Sequence, residues 1–150
     1  MKRQLVSVCG FLTDDSNRLL IAKRADSETF MPGSWELIGG GVEYGENPAD
    51  ALKREFKEEF LIQVEIARPY FTFSYLQNEN KEVMHEVEID FFVKQTTPNQ
   101  PIMLDKNTHS EYKWIAENEV ENYFGKRPQP VASQLDSVLE GFKQLHSHKE

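Results

Sequence analysis

The chain has 150 residues, with 17 Lys and Arg against 25 Asp and Glu and a formal charge of -8. That length suits one ordinary domain with a substantial core, so residues 1–150 are read as a single catalytic unit. The acidic balance argues against polymeric nucleic acid as a partner, and no apolar run reaches transmembrane length.

Lys2 and Arg3 precede the apolar run LVSVCGFL, but Thr13, Asp14 and Asp15 follow it without a small-residue cleavage pattern, so the run reads as a strand rather than a secretory leader. The only cysteine, Cys9, lies in this run, reads as a buried small residue and leaves no intrachain disulfide; a cytoplasmic location is compatible. Strands are expected at Leu5–Leu12 and, across a turn containing Asp14 to Asn17, at Leu19–Ala22 as its partner. Lys23 and Arg24 emerge from the second, and Ala25–Ser34 with Pro32 and Gly33 reads as a loop. Trp35, Leu37 and Ile38 form a short strand running into Gly39, Gly40 and Gly41.

Asn47 and Pro48 make a helix start: the amide side chain can cap free N–H groups and proline suits the first helical position. Ala49, Leu52, Phe56 and Phe60 form its apolar strip. Further strands are expected at Tyr70–Leu76 and His85–Val93. In the second, Val87, Ile89, Phe91 and Val93 alternate with Glu86, Glu88 and Asp90, which suggests a sheet with one buried face. Asn78–Lys81 reads as a polar connection and Thr96–Pro101 as the start of a longer loop. Tyr112–Ile115 is a last short strand. After Pro128 and Pro130, Val131, Leu135, Val138, Leu139, Phe142 and Leu145 recur at helical spacing, giving a terminal helix that packs on the domain.

Positions three and four apart share a helix face, so Glu55 stands beside Glu58 and Glu59. Like charges at that spacing repel, and a divalent cation reverses the penalty. Hard ions such as Mg²⁺ and Mn²⁺ prefer oxygen donors and commonly hold substrate phosphates as well. The strip therefore points to a metal and a phosphorylated small-molecule substrate.

From Gly40, five residues lead to Glu46, seven more to Arg54, and then come Glu55, Phe56, Lys57, Glu58 and Glu59. This arrangement resembles the signature of the Nudix hydrolase family, in its MutT-like branch. The resemblance centres on Gly40 to Ile62, with Leu61 standing where the family's usual glycine would be. It implies an α/β fold, an α/β/α sandwich with a mixed β-sheet, and Mg²⁺ or Mn²⁺ as cofactor. It also implies that Glu55, Glu58 and Glu59 form the acidic site with a backbone carbonyl near Gly39 or Gly40. Glu58 and Glu59 would hold the metal, while Glu55 ligates, orients water or acts as base. Glu46 and Arg54 would organise the loop and helix by a charge-assisted hydrogen bond. Glu111, after His109 and Ser110, resembles the later acidic loop of some members, where a glutamate completes the site; His109 reads as a surface histidine.

The implied reaction is metal-dependent hydrolysis of a phosphoanhydride in a nucleoside diphosphate linked to another group, with nucleoside triphosphate pyrophosphohydrolysis leading. ADP-ribose or nucleotide-sugar hydrolysis is the alternative, and so is a non-catalytic nucleotide sensor. Lys23 or Arg24 would meet a distal phosphate, and Gly39 to Gly41 allow a close backbone approach to it. Phe30, Trp35, Phe71, Phe73 and Tyr75 offer stacking surfaces for a base. A homodimer is compatible with the sequence.

Overall fold

The computed structural model describes residues 2–79, 81–125 and 133–147. Among the described residues, seven strands form two sheets. One has four strands in the order β4-β1-β6-β5, with β1 (Lys2–Leu12), β4 (Ile38–Gly41), β5 (Val64–Glu79) and β6 (Glu82–Gln95). The other has β3 (Trp35–Glu36), β2 (Leu19–Arg24) and β7 (His109–Ile115), in that order. β1 runs parallel to β6 and antiparallel to β4, so the larger sheet is mixed. Helices α1 (Pro48–Phe60), α2 (Val120–Phe124) and α3 (Ser133–Ser147) complete the fold.

β1 shows why two layers are needed. Val8 and Leu12 enter a core with Leu52, Phe56 and Phe60 of α1, whereas Cys9 and Phe11 enter a second core with Phe124, Val138 and Phe142 of α2 and α3. Successive side chains of a strand point to opposite faces, so an apolar β1 needs cover on both sides. The result is the expected α/β/α sandwich.

Several expectations change. β1 and β2 are not partners: they lie in different sheets, with an isolated bridge between Thr13 and Leu19 beside their turn. The Trp35–Ile38 strand is two strands, and the chain crosses between sheets at Leu37. β5 and β6 are far longer than expected and make one hairpin, with β5 bent at irregularities around Ala67 and Tyr70.

The acidic face of β6 is not a solvent face, since Glu88 and Asp90 are both buried. α3 covers them, and its own pattern shifts to suit: Gln134 and Ser137 are buried while Leu139 is exposed. Gln134 Nε2 donates to Glu88 at 3.4 Å and the Ser137 hydroxyl donates to Asp90. Buried carboxyls need such partners, which an apolar helix face would not supply. Val131 lies outside the described residues. In α1 the buried alanine is Ala51, and Glu55 joins the apolar strip inside.

α1 begins as expected, with the Asn47 side chain accepting from Ala49 N at 3.0 Å and Pro48 in the first turn. It ends at Leu61 with φ 54 and ψ 32, the left-handed geometry that glycine usually supplies. The last turn is tied down from outside, since Phe60 O and Glu59 O accept from Met103 N and Asp105 N at 3.1 and 2.9 Å. Leu61→Gly should relieve the side-chain clash and raise stability by about 1 kcal/mol, a Tm gain of roughly 2–4 °C at this size. Calorimetry reading an unchanged or lower Tm would count against strain at Leu61.

Candidate active site

Arg54 is the organiser of the acidic helix. Its Nε and Nη2 donate to the two oxygens of Glu46 at 2.8 and 2.9 Å, and Nη2 also donates to Gly41 O at 3.0 Å. This fork ties the glycine strand to α1 across the loop and pulls the Glu46 carboxyl down to about 2. Nη1 turns the other way, to Glu55 at 2.9 Å and Glu58 at 3.3 Å. Glu58 is exposed, so the three acids do not share one environment: Glu55 and Glu59 face inward, while Glu58 stays on the rim.

Inside, Glu55 and Glu59 are side by side. Burial, then the charges of Glu55 and Glu36, push the Glu59 carboxyl up to about 9. Burial also raises Glu55, against the opposing pull of Arg54. Glu59 Oε2 is buried with no hydrogen-bond donor, 3.6 Å from His109 Nδ1. On the far side of that ring, His109 Nε2 is 3.8 Å from Glu36 Oε2.

A divalent ion fits this arrangement: the donors are hard oxygens, one is buried without a partner, and their mutual repulsion needs a cation. Glu55, Glu59, the rim carboxylate of Glu58 and the Gly40 carbonyl are the groups that could hold it. Gly40 has a packing reason as well, since a Cβ there would stand 2.5 Å from the Glu55 carboxyl carbon.

Stability should follow this charge balance. With the ion chelated, the folded pKa of Glu59, about 9, lies above that of the unfolded chain, so the folded state keeps a proton the unfolded state releases. Its stabilisation is then complete below the ordinary carboxylate range and lost as pH rises towards about 9. Thermal unfolding in chelator should show Tm falling from pH 5 to pH 9, and divalent ion should raise Tm most at the alkaline end. A flat profile in chelator would contradict the picture.

His109 and Glu36 were not legible as site residues. His109 is buried against Phe60 with ring centroids 5.2 Å apart, not on the surface. A register shift opposite it, between Lys23 and Arg24, accompanies its inward placement. Glu36 sits between apolar neighbours on a two-residue strand and gave no pattern of its own. Glu111 is exposed on β7, opposite Lys23 of β2. Arg24 is engaged by protein groups: its Nη1 donates to both Glu36 oxygens at 3.1 and 3.0 Å, and its Nε donates to Phe30 O at 2.6 Å. Trp35 packs edge-on against Tyr123 beneath Lys113, in the second core.

Beside the acids lies a cleft of about 360 Å³, bordered by Arg24, Phe30, Glu36, Gly39, Gly40 and Gly41. The glycine strand is therefore a shared wall, with Glu55 against Gly40 on one side and the cleft on the other. Among the described residues no helix is long and apolar enough to cross a membrane.

A family model described as NUDIX domain matches residues 3–135. The nucleoside triphosphatase NudI of Escherichia coli O139:H28 is 30% identical over 129 residues, covering 81% of this chain and 88% of that protein. NudI of Escherichia fergusonii is 49% identical over a shorter stretch of 57 residues, 38% of this chain and 40% of that protein. Among solved structures, a MutT protein from Methanosarcina mazei Go1 superposes with TM-score 0.73 at 20% identity, over 99% of this chain and 98% of that one. A MutT NUDIX hydrolase from Burkholderia pseudomallei gives TM-score 0.67 at 23% identity, over 92% and 97%.

Proposed function

This chain belongs to the Nudix hydrolase family, and on that premise we propose that it hydrolyses nucleoside triphosphates to a nucleotide and pyrophosphate with Mg²⁺ or Mn²⁺. The observation that carries the reading is the buried, donorless Glu59 oxygen beside Glu55, at the glycine wall of a cleft. The similarity to proteins named nucleoside triphosphatase favours a triphosphate over the nucleotide sugars and ADP-ribose.

Glu59, Glu58 and the Gly40 carbonyl would hold the ion. When bound, it supplies charge neutralisation at the phosphoryl oxygens and makes water more acidic. Glu55, held by Arg54 at 2.9 Å, is placed to orient water and accept its proton as the oxygen attacks phosphorus. The bridging P–O bond breaks and its electron pair leaves with pyrophosphate. Lys23 approaches the distal phosphate, and Arg24 acts through the loop and Glu36 that it holds. Glu111, exposed on β7, assists water from the far strand.

A phosphoanhydride panel with product identification tests this. The expected result is pyrophosphate and nucleoside monophosphate from triphosphates, abolished by chelator. Turnover that survives chelation, or product only from nucleotide sugars, would refute it.

A further inference from the structure

The chain between β6 and β7 returns twice to the end of α1. Met103 N donates to Phe60 O, and Asp105 N donates to the backbone carbonyl of Glu59 itself at 2.9 Å. From Asp105 the chain turns tightly, with Thr108 N and His109 N both donating to Asp105 O, at 3.1 and 3.0 Å. Ala25 N donates to Thr108 O at 2.8 Å, which holds the turn from the end of β2. The His109 ring is thus set beside the Glu59 carboxyl by a stretch of backbone that is itself bonded to Glu59.

Hydrogen bonding at the ring decides which nitrogen carries the proton. The Thr108 hydroxyl donates to Asp105 O at 3.1 Å, since a carbonyl oxygen can only accept. That uses the one hydroxyl proton, so the 3.1 Å contact between Thr108 Oγ1 and His109 Nδ1 needs a proton on Nδ1. Glu59 Oε2 lies 3.6 Å from the same nitrogen, buried and without a hydrogen bond. It is short of hydrogen-bond range by about half an ångström. Nε2, also buried, stands 3.8 Å from Glu36 Oε2, and Arg24 Nη1 donates to both oxygens of that acid.

We infer that His109 is the positioning residue for Glu59: its Nδ1–H holds Oε2, so that the other carboxyl oxygen is left to face the divalent ion. The inference rests on the metal reading above and adds to it a residue from outside the acidic helix. Carboxylates that ligate a metal are themselves hydrogen-bonded, because an oxygen held by a fixed donor does not rotate away from the ion. Arg54 serves Glu55 and Glu58 in this way from the rim. In the buried half of the site, the donor aimed at Glu59 is the His109 ring. Packing explains less, since Phe60, with ring centroids 5.2 Å away, would accept a phenyl ring as well as an imidazole.

The test measures Mn²⁺ affinity of the full chain without substrate, from the paramagnetic resonance of the free ion. His109→Phe keeps a flat ring and has no donor, while His109→Asn loses the ring and keeps an N–H at the place of Nδ1. His109→Phe should weaken Mn²⁺ binding about 10- to 100-fold, and His109→Asn should stay within about threefold of wild type. A second measurement needs no variant. Nitrogen NMR of wild type loaded with Mg²⁺ should show the His109 proton on Nδ1.

A folded His109→Phe protein with wild-type Mn²⁺ affinity would overturn the inference. So would equal losses in both variants, which would make the role one of shape, or a bare Nδ1 in the Mg²⁺-loaded protein. Glu59→Gln, run alongside, tests the metal reading itself. Unchanged Mn²⁺ binding there would refute Glu59 as a ligand, whereas a loss there with none in His109→Phe would overturn the His109 assignment alone.

Discussion

Glu59→Gln is expected to lower turnover by ~10²- to 10⁴-fold, the range for losing a group that acts in proton transfer or in charge stabilisation of the transition state. The fold should survive. Glu59 lies deep between Glu55 and Glu36, its Oε2 has no donor, and its proton is held up to about 9. An amide of the same shape carries no charge to desolvate, so the unfolding midpoint in chelator should stay level at pH 6 and rise at pH 9. Steady-state kinetics beside thermal unfolding separates the two effects. Turnover within tenfold of wild type would remove Glu59 from the active machinery, and a collapse in stability would make its role structural.

The three glycines of β4 should respond differently to alanine because each faces different atoms. At Gly39 a Cβ would stand 1.8 Å from Val8 O and 2.7 Å from Cys9 Cα, both backbone atoms of β1 that cannot move without parting the strands. Gly39→Ala should cost about 3 kcal/mol, a Tm loss of roughly 6–12 °C. At Gly40 the obstructing group is the Glu55 carboxyl, which can swing away. Gly40→Ala should fold and lose activity by about 10²-fold, since a misplacement near 1 Å costs that much. At Gly41 nothing lies within 4 Å, so Gly41→Ala should be close to neutral in both respects. Equal Tm losses at all three would mean that the glycines serve the strand alone.

This series marks a boundary in what the residues disclosed. The run GGG read as a close backbone approach to phosphate, yet the neighbours that make Gly39 and Gly40 intolerant belong to β1 and α1. The start of helix α1 and its row of acids were legible because their signals are local: a capping asparagine, a first-turn proline, and acids at three- and four-residue spacing. The Glu46–Arg54 fork links two residues of one short segment, and the family resemblance implied it. Leu61 was legible as a departure, but Met103 and Asp105, which steady the same helix end, come from a distant loop.

The least legible features were contacts between layers. A two-residue alternation in β6 reads as one dry and one wet face, and the sequence offers no sign that α3 will bring Gln134 and Ser137 down upon Glu88 and Asp90. His109 and Glu36 likewise acquire their place only when β7 and β3 flank β2 and the end of α1 closes over them.

By itself, then, the sequence determined the family, the α/β character and the acidic helix, because periodicity, caps and motif spacing act within a few residues. Tertiary structure decided which acids are buried, which face of the mixed sheet becomes a cleft, and which histidine meets Glu59. Those outcomes depend on what a distant element lays against each group, since burial and an opposing charge set the state of a carboxyl more than its neighbours in the chain do.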